Sequence, residues 1–302
     1  MSDKAIRECI KRILYEDTGK GDITALSVIA RDVVSDAAII SEGSGVLAGL
    51  DISVDIFKAV DAKLRLKIRA KDGRKISKNS RVLYIKGKAR SILKAERTVL
   101  NILSRLSGIA TLTSAYVGKA LPYKAKIMDT RKTTPGLRAL EKYAVKMGGG
   151  HNHRMGLYDM VLIKDNHLSV ISDRLLINRE RAVYEAVMMA KRRRGVKVEV
   201  EVNNLPEFKA ALKAGPDIIM LDNMSVKEIG KAVLLRAQSA ARPAEPKGAG
   251  EHRVQKRPLL EVSGGVTLNR IRRIAKTGVD RISIGALTSS AKPLSFRLDI
   301  IR

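Results

Sequence analysis

Residues 196–222 decide the fold of this chain, and they read VKVEVEVNNLPEFKAALKAGPDIIMLD. The first seven residues are strand-like, 205–214 have a helical pattern, and 217–222 are strand-like again. The second strand is apolar almost to its last residue, Asp222, which is typical of a strand buried on both faces. A strand, a helix and a buried strand in this order form one unit of a parallel α/β sheet.

The same unit repeats through the second half of the chain. The patterns predict strands at 125–129, 159–164, 196–202, 217–222, 259–263 and 281–285, and helices near 136–147, 174–194, 205–214, 225–238 and 267–277. Repeated units of this kind predict a parallel sheet that is either open or closed into a barrel.

The first 110 residues are organised differently. A one-sided helix is predicted at 3–16, short strand-like runs extend from 33 to 88, and a long helix follows at 91–119. Residues 64–69 alternate strictly between apolar and basic side chains, which predicts a half-buried strand with a basic outer face. This part therefore has the pattern of an α+β unit.

Composition excludes several classes of protein. The 302 residues are 45% hydrophobic, which excludes global disorder, and a single cysteine excludes a disulfide scaffold and suits a reducing cytoplasm. No apolar run approaches the ~18 residues of a membrane span, and the first residues do not resemble a signal peptide. The net charge of +27 implies acidic partners: nucleic acid, anionic lipid or small polyanions. Only 3% of the residues are aromatic, which argues against the first of these.

Polar side chains collect where the predicted parallel strands end. In a barrel of parallel strands, this rim is where active sites are built. The residues concerned are Arg131, Lys132, Lys164, Asp165, Glu199, Glu201, Asp222, Asn223, Ser263, Gly264, Gly265 and Gly285.

The segment from Asp129 to Leu137 has the features of an anion site. We predict that Thr134 caps a helix and that Pro135 is its first residue. Arg131 and Lys132 would then lie beside the N–H groups of a helix N-terminus, which favour anions.

Two of the four histidines lie at 151 and 153, and a third is His167. A metal site built from these rings is one interpretation. The flanking Arg154 and Lys164 would repel a cation, so we favour an anion pocket in which the imidazoles are donors.

Glu199 and Glu201 are two residues apart on one strand, so they share a face. With Asp222 they would form a hard oxygen site suited to Mg²⁺ that carries phosphates. An internal salt bridge to Lys132 or Lys164 is the alternative, and both can hold together.

The last two predicted strands end in glycines. Ser263-Gly264-Gly265 and Gly285-Ala286 would let the backbone approach a phosphate group closely, as in phosphate-binding barrels.

Ten motifs together resemble one family, nicotinate-nucleotide pyrophosphorylase (carboxylating), also called quinolinate phosphoribosyltransferase. They extend over nearly the whole chain, and several are seven residues or longer. They lie at 16–22, 96–97, 107–111, 129–138, 141–145, 148–154, 162–167, 199–201, 221–223 and 263–265.

The resemblance implies an N-terminal α/β sandwich at 1–110 and an incomplete, TIM-like α/β barrel at 111–288. It implies that the tail at 289–302 returns to the first domain. A stretch at about 239–258, rich in Ala, Pro, Gly and charge, is predicted to be a flexible surface insertion in the barrel.

The resemblance also implies an activity in the cytoplasm. Quinolinate and phosphoribosyl pyrophosphate would give nicotinate mononucleotide, pyrophosphate and CO₂, with Mg²⁺, in de novo NAD synthesis. It implies a homodimer with shared active sites, or a higher oligomer built from it.

Roles for individual residues follow from the matched motifs. Arg97, Arg131, His153, Arg154 and Lys164 would hold the two quinolinate carboxylates, and Lys132 would lie near the reacting carbon. Catalysis is assigned to Lys132, Glu201 and Asp222, of which Glu201 and Asp222 would hold the ribose and Mg²⁺. Phosphates would be bound by Ser263, Gly264, Gly265, Gly285 and Ala286.

The chain departs from the family pattern in two respects. Where the family usually has His after the last barrel strand, this chain has Thr288-Ser289-Ser290, so that one phosphate donor would be missing or replaced by a hydroxyl. The insertion and the charge of +27 are also unusual; the site needs only some of these cations, and weak non-specific polyanion binding is expected from the rest.

Two alternatives stay open at this point. One is a paralogous phosphoribosyltransferase of a molybdate-operon type that acts on another heteroaromatic carboxylate. The other, of a different class, is a basic nucleic-acid-binding protein on a degenerate enzyme scaffold.

Overall fold

A computed structural model describes residues 3–239 and 257–301. The elements of its first half are α1 (Asp3–Thr18), α2 (Ile23–Val28), β1 (Val34–Ser41), β2 (Gly45–Val46), α3 (Leu50–Val60), β3 (Arg65–Ile68), β4 (Lys75–Ile76), β5 (Arg81–Lys88), α4 (Ala89–Ala120) and β6 (Lys126–Met128). Those that follow are α5 (Arg138–Met147), β7 (Val161–Ile163), α6 (Asp165–Leu175), α7 (Arg179–Lys191), β8 (Val198–Val202), α8 (Leu205–Ala214), β9 (Ile218–Asp222), α9 (Val226–Ser239), β10 (Leu259–Ser263), α10 (Ile271–Lys276), β11 (Arg281–Ser283), α11 (Ala286–Ser289) and β12 (Phe296–Ile301).

The chain forms two compact units, each made of more than one segment. Unit 1 contains the chain up to Ala115, Lys132–Asn152 and the residues from Gly285 onward, and unit 2 contains Tyr116–Arg131 and His153–Ile284. From the sequence we predicted a single domain boundary at residue 110, with residues 132–152 in the barrel domain. In the structure, these residues belong to unit 1. Most of the predicted insertion at 239–258 lies outside the described residues.

Unit 1 is built on a four-stranded antiparallel sheet in the order β12-β1-β5-β3. The last strand of the chain pairs with the first, with Asp36 opposite Ile301 and Ser41 opposite Phe296. The inner sheet residues Ile39 and Leu83 are fully buried, as are apolar residues of α4 such as Leu103. Burying a side chain of this size stabilises a fold by roughly 1.5–3 kcal/mol.

Unit 2 is a six-stranded parallel sheet in the order β6-β11-β10-β9-β8-β7. The described pairings end at β6 and β7, so the sheet is the incomplete α/β barrel that the sequence predicts. Strand β9 is apolar on both faces up to its last residue: Ile219, Met220 and Leu221 are buried. This burial is the physical reason for the near-continuous apolar runs in the sequence.

The predicted helix at 174–194 joins the end of one helix to the whole of the next, and most of α6 was not predicted. α6 ends at Leu175, and Leu176 at its cap position has a left-handed φ of 52°. Asn178 then caps α7 by accepting a hydrogen bond from the N–H of Arg181. The apolar periodicity continues through this turn and conceals the break, because periodicity reports burial and not backbone direction.

Within the described ranges, no helix combines the length and the apolar content that crossing a membrane requires, and this includes the 32-residue α4.

Candidate active site

The predicted rim residues of unit 2 lie at one edge of its sheet. Because all six strands are parallel, their carboxyl ends meet there, and Ser263 is directly opposite Asp222 in the register. Lys164 follows β7, and Glu201 lies near the end of β8. The parallel topology thus brings together the acidic and basic residues that the sequence placed at strand ends.

Lys164 and Glu201 form an ion pair at this edge. The Nζ atom of Lys164 is 3.0 Å from Oε2 of Glu201, and the lysine side chain is 48% exposed. The salt bridge that the sequence offered as an alternative for the acidic strand is therefore present. The Glu201 side chain is only 12% exposed, so the pair is half-buried. An anionic ligand that bound Lys164 instead would leave the carboxylate of Glu201 in need of another cation.

Asp222 is held by the turn that follows it. Its Oδ2 accepts a hydrogen bond of 2.9 Å from the side chain of Asn223, which has a left-handed φ of 53°. Gly264 has a φ of 80°, and a Cβ atom there would lie 2.3 Å from Oδ1 of Asn223. Glycine at 264 is thus required both for its backbone conformation and for the space that Asn223 occupies.

Glu199 does not join Glu201 and Asp222 in a hard oxygen site. It is fully buried, and its Oε2 lies 3.0 Å from Nε2 of His153. The same ring nitrogen is 3.3 Å from Oε1 of Glu261. Although Glu199 and Glu201 share a face, Glu199 lies two residues further from the end of β8 and is fully buried.

His153 is therefore surrounded by carboxylates. Its ring is 9% exposed, and its second nitrogen, Nδ1, accepts a hydrogen bond of 2.8 Å from the backbone N–H of Arg154. Nε2 lies beside two carboxylates, although the contacts of 3.0 and 3.3 Å do not have hydrogen-bond geometry. The prediction that this imidazole contacts an anionic substrate stays a prediction. His153, Glu199 and Glu261 also have the donor types and spacing of a metal site.

The electrostatics of this cluster favour a proton there. Burial lowers the pKa of His153, but the close contacts and the charges of Glu199 and Glu261 outweigh it and raise that pKa to about 9. Burial and the neighbouring Glu261 raise the pKa of Glu199. The hydrogen bond from the backbone N–H of Arg154 to Nδ1 opposes protonation of the ring, because a protonated Nδ1 cannot accept a hydrogen bond.

Arg154 is the buried cation of unit 2. It is 6% exposed, donates through Nη1 to the carbonyl of Met160 at 3.1 Å, and its buried Nε has no hydrogen-bond partner among the described residues. Burial, and next the positive charge of Arg131, lower its pKa. Arg131 itself is half-buried. A ligand with more than one negative charge would stabilise both cations.

Asp129 supports this arrangement from β6. It is fully buried, and its Oδ1 accepts a hydrogen bond of 2.9 Å from the backbone N–H of His153. The end of β6 thereby positions the segment that carries His153 and Arg154.

In unit 1, Glu141 organises the loop that carries Lys132. Glu141 is fully buried, pairs with Arg105 at 2.8 Å, and accepts hydrogen bonds from the N–H and the hydroxyl of Thr134. The prediction that Thr134 caps the next helix is wrong, because α5 begins at Arg138 with Leu137 at its cap position. The Thr134 hydroxyl is instead bound by Glu141.

The carbonyl of Lys132 accepts a hydrogen bond of 2.6 Å from the buried hydroxyl of Thr288. A Cβ atom at Gly285 would lie 2.8 Å from Cδ of Lys132, so glycine at 285 makes room for the lysine stem. Ser289, which stands where the family usually has His, is exposed and donates to the carbonyl of Gly285 at 3.1 Å.

Arg97 is exposed on α4 of unit 1, and Ala286 begins α11. Beside Arg97, burial raises the pKa of Glu96, and the arginine charge opposes this effect.

Four residues that support the site were not predicted as site residues from the sequence: Asp129, Glu141, Arg105 and Glu261. A signal existed for Glu261, which is a single acid inside the apolar strand Leu259–Ser263. A buried acid at an inward strand position needs a partner, and this reasoning would have pointed to His153.

The chain was compared with known proteins. The family model of the quinolinate phosphoribosyl transferase C-terminal domain matches residues 109–299, and that of the N-terminal domain matches residues 22–107. A nicotinate-nucleotide pyrophosphorylase (carboxylating) of Mycobacterium leprae is 39% identical over 98% of this chain and 97% of its own length. A probable nicotinate-nucleotide pyrophosphorylase (carboxylating) of Methanocaldococcus jannaschii is also 39% identical, over 100% of this chain and 99% of its own length.

A solved structure of the same family has a similar fold. The nicotinate-nucleotide pyrophosphorylase from Francisella tularensis has a TM-score of 0.83 and 38% identity, and the match covers 100% of this chain and 98% of that one. The chain belongs to the quinolinate phosphoribosyltransferase family.

Proposed function

We infer that this chain transfers the phosphoribosyl group of phosphoribosyl pyrophosphate to quinolinate. The product loses the neighbouring carboxylate as CO₂, so that nicotinate mononucleotide and pyrophosphate result, in NAD biosynthesis. The observation that carries this assignment is the match of both family domains, together with full-length relatives at 39% identity that are named for this reaction.

The rim of unit 2 offers the charges that such a substrate needs. Arg131 and Arg154 are cations that influence each other's charge, and a pyridine with two carboxylates would stabilise both. Lys164 would leave Glu201 to contact one carboxylate. The buried pair Glu199 and Glu261 holds His153 next to Arg154, and both residues are proposed to hold the quinolinate carboxylates.

No nucleophilic side chain is required, because the pyridine nitrogen is the nucleophile. Holding both substrates in line can supply about 7–11 kcal/mol of the barrier. The ring nitrogen becomes positively charged when it bonds to the ribose, and it then accepts the electrons released as the carboxylate leaves. Lys132 is proposed to lie at this reacting carbon.

Glu201 and Asp222 fit a Mg²⁺ ion as hard carboxylate ligands on neighbouring strands. Mg²⁺ binds through one or two carboxylates together with substrate phosphates. When bound, it would neutralise charge on the departing pyrophosphate. The turns at Ser263–Gly265 and Gly285–Ala286 are proposed to contact phosphates through backbone N–H groups. We also propose that the enzyme is a homodimer whose sites take residues from both chains.

The decisive experiment is turnover of quinolinate with phosphoribosyl pyrophosphate, measured as nicotinate mononucleotide and CO₂. Nicotinate is the matched control substrate, because it has one carboxylate fewer and would leave a buried cation unpaired, at a cost of several kcal/mol. Comparable turnover of nicotinate, or turnover of neither compound, would contradict the assignment.

A further inference from the structure

Residues 61–90 carry a concentration of charge that the reaction does not use. They contain twelve lysines and arginines against two aspartates, an excess of ten out of the net charge of +27. Residues 1–60, by contrast, contain seven basic residues and ten acidic ones. None of the proposed site residues lies between 61 and 90. The remaining 212 residues, 91–302, carry an excess of 20, so the positive charge is densest at 61–90 but is not confined to it.

The two aspartates of this stretch do not neutralise it. Asp61 accepts hydrogen bonds from the N–H of Lys63 and the hydroxyl of Ser91. Asp72 accepts from two backbone N–H groups and from the hydroxyl of Tyr143. Among the described residues, the ion pair made by this stretch is that of Lys86 with Asp36, at 3.0 Å. Its other basic side chains form no ion pair within 4 Å among those residues, although Lys63 and Lys88 act electrostatically on Asp61.

Strand β3 arranges these cations in a row. Arg65 and Lys67 share a face of the strand, and Arg69 continues it, since its N–H bonds to the carbonyl of Val82. All three are exposed, and alternate residues of a strand are about 7 Å apart. On β5, Lys86 is directly opposite Arg65. Like charges placed opposite each other destabilise a sheet, and the carboxylate of Asp36 at Lys86 reduces this repulsion.

An aromatic ring lies within this row. Tyr84 is directly opposite Lys67, and the guanidinium of Arg69 lies 5.3 Å from the centroid of its ring. These side chains, with Arg65, Lys86 and the acidic Asp36, line an open cavity of about 300 Å³. Asp36 pairs with Lys86, so the cations Arg65, Lys67 and Arg69 carry the positive charge of this lining. The surface therefore offers point charges, a planar guanidinium and a half-buried ring together.

We propose that this basic face, formed by Arg65, Lys67, Arg69, Tyr84 and Lys86, binds the phosphate backbone of single-stranded nucleic acid. A straight row of evenly spaced cations fits an extended polyanion, whereas a small phosphate compound needs only one or two of them. Guanidinium planes and a tyrosine ring are surfaces on which bases stack. Ile68 is apolar but alternates to the opposite face, so this face lacks the apolar anchor that a lipid surface uses.

The test is binding of a short, labelled single-stranded RNA of mixed sequence, followed by fluorescence anisotropy at several salt concentrations. The variant combines Arg65→Ser, Lys67→Ser and Arg69→Ser. Its matched control combines Arg192→Ser, Arg193→Ser and Arg194→Ser, which removes the same charge from an exposed segment of unit 2. Quinolinate turnover is measured on every protein.

We expect the β3 variant to bind RNA at least about tenfold more weakly, with a salt slope shallower by about 2, because each lost phosphate contact contributes about 0.7. The control variant should bind nearly as the unchanged chain does. A charge-preserving variant, Arg65→Lys with Arg69→Lys, should restore most of the binding. Turnover should be unaffected in all of them.

Four results would overturn the proposal. They are absence of RNA binding by the unchanged chain, equal losses in both triple variants, stronger capture by phosphatidylserine vesicles than by RNA, and loss of turnover in the β3 variant. A chain that binds RNA through this face but does not convert quinolinate would contradict the proposed function alone.

Discussion

At the residue scale, two buried acids stabilise the protonated, charged form of the His153 imidazole. Glu199 and Glu261 both lie within 3.3 Å of its Nε2, and neither acid is exposed to solvent. Removing one partner would leave a buried charge without compensation, which typically costs 3–5 kcal/mol. The cluster is therefore a structural support of the barrel interior as well as the neighbour of Arg154.

This cluster predicts how stability depends on pH. The folded pKa of His153, about 9, lies above its ordinary 6.5, so its contribution is complete below pH 6.5 and is lost as pH rises through about 9. The loss amounts to at most about 3 kcal/mol, and the Arg154 N–H at Nδ1 reduces it. The midpoint temperature of thermal unfolding should therefore fall between pH 6.5 and about 9. In the variant His153→Asn, this temperature should fall by less over the same range.

The control for this measurement is His167→Asn. Its ring accepts a hydrogen bond from the N–H of Lys164, and the variant should keep the pH slope of the unchanged chain. If His153→Asn had that same slope, another group would be responsible for the pH dependence.

Lys132→Ala should lower kcat far more than it weakens quinolinate binding. The proposed position of Lys132 is at the reacting centre, where charge changes most between ground state and transition state. Steady-state kinetics with quinolinate as the varied substrate measures both quantities. The control is Lys227→Ala, an exposed lysine of α9. A higher KM with kcat intact would mean that Lys132 serves only ground-state binding.

At the scale of elements, the turn after β10 and the end of β9 form one structure. Gly264 lies against Asn223, and Asn223 in turn donates to Asp222. A substitution in one turn therefore moves a carboxylate that is held by the neighbouring strand.

Gly264→Ala should raise the KM for phosphoribosyl pyrophosphate. The new Cβ would lie 2.3 Å from Oδ1 of Asn223, and a left-handed backbone costs roughly 1–2 kcal/mol for alanine. Gly230→Ala is the matched control, because nothing lies within 4 Å of its Cβ position in α9, and alanine favours a helix. Equal kinetics for both variants would show that this turn does not contact the substrate.

At the scale of the whole molecule, the proposed dimer makes activity a property of two chains. Arg97 lies on α4 of unit 1. By resemblance to the family, it would reach the quinolinate bound by the partner. Dimerisation and catalysis would then be coupled.

The test mixes two inactive variants, Arg97→Ala and Lys132→Ala, and refolds them together. Each heterodimer would have one site with both defects and one intact site, so activity should return to roughly a quarter of that of the unchanged enzyme at equal random mixing. Refolded samples of each variant alone are the controls. Heterodimers that form but stay inactive would show that Arg97 acts within its own chain.

Local pattern was sufficient for most elements of the barrel. The predicted strand at 259–263 has the same bounds as β10, and the predicted helix at 205–214 has those of α8. Both are determined by side-chain periodicity, which is a property of neighbouring residues. The rim residues Lys164, Glu201 and Asp222 were predictable for a related reason, since parallel strands place all their carboxyl ends at one edge.

Contacts between residues far apart in the chain were decided only by the tertiary structure. His153, Glu199 and Glu261 meet because β8 and β10 flank β9 and both acids point into the barrel interior, and no local pattern encodes that strand order. Thr134 likewise binds Glu141 and not the start of a helix, because a buried carboxylate takes the donors nearest to it. Periodicity determines which face of an element is buried, whereas the partners on that face depend on how the elements are packed.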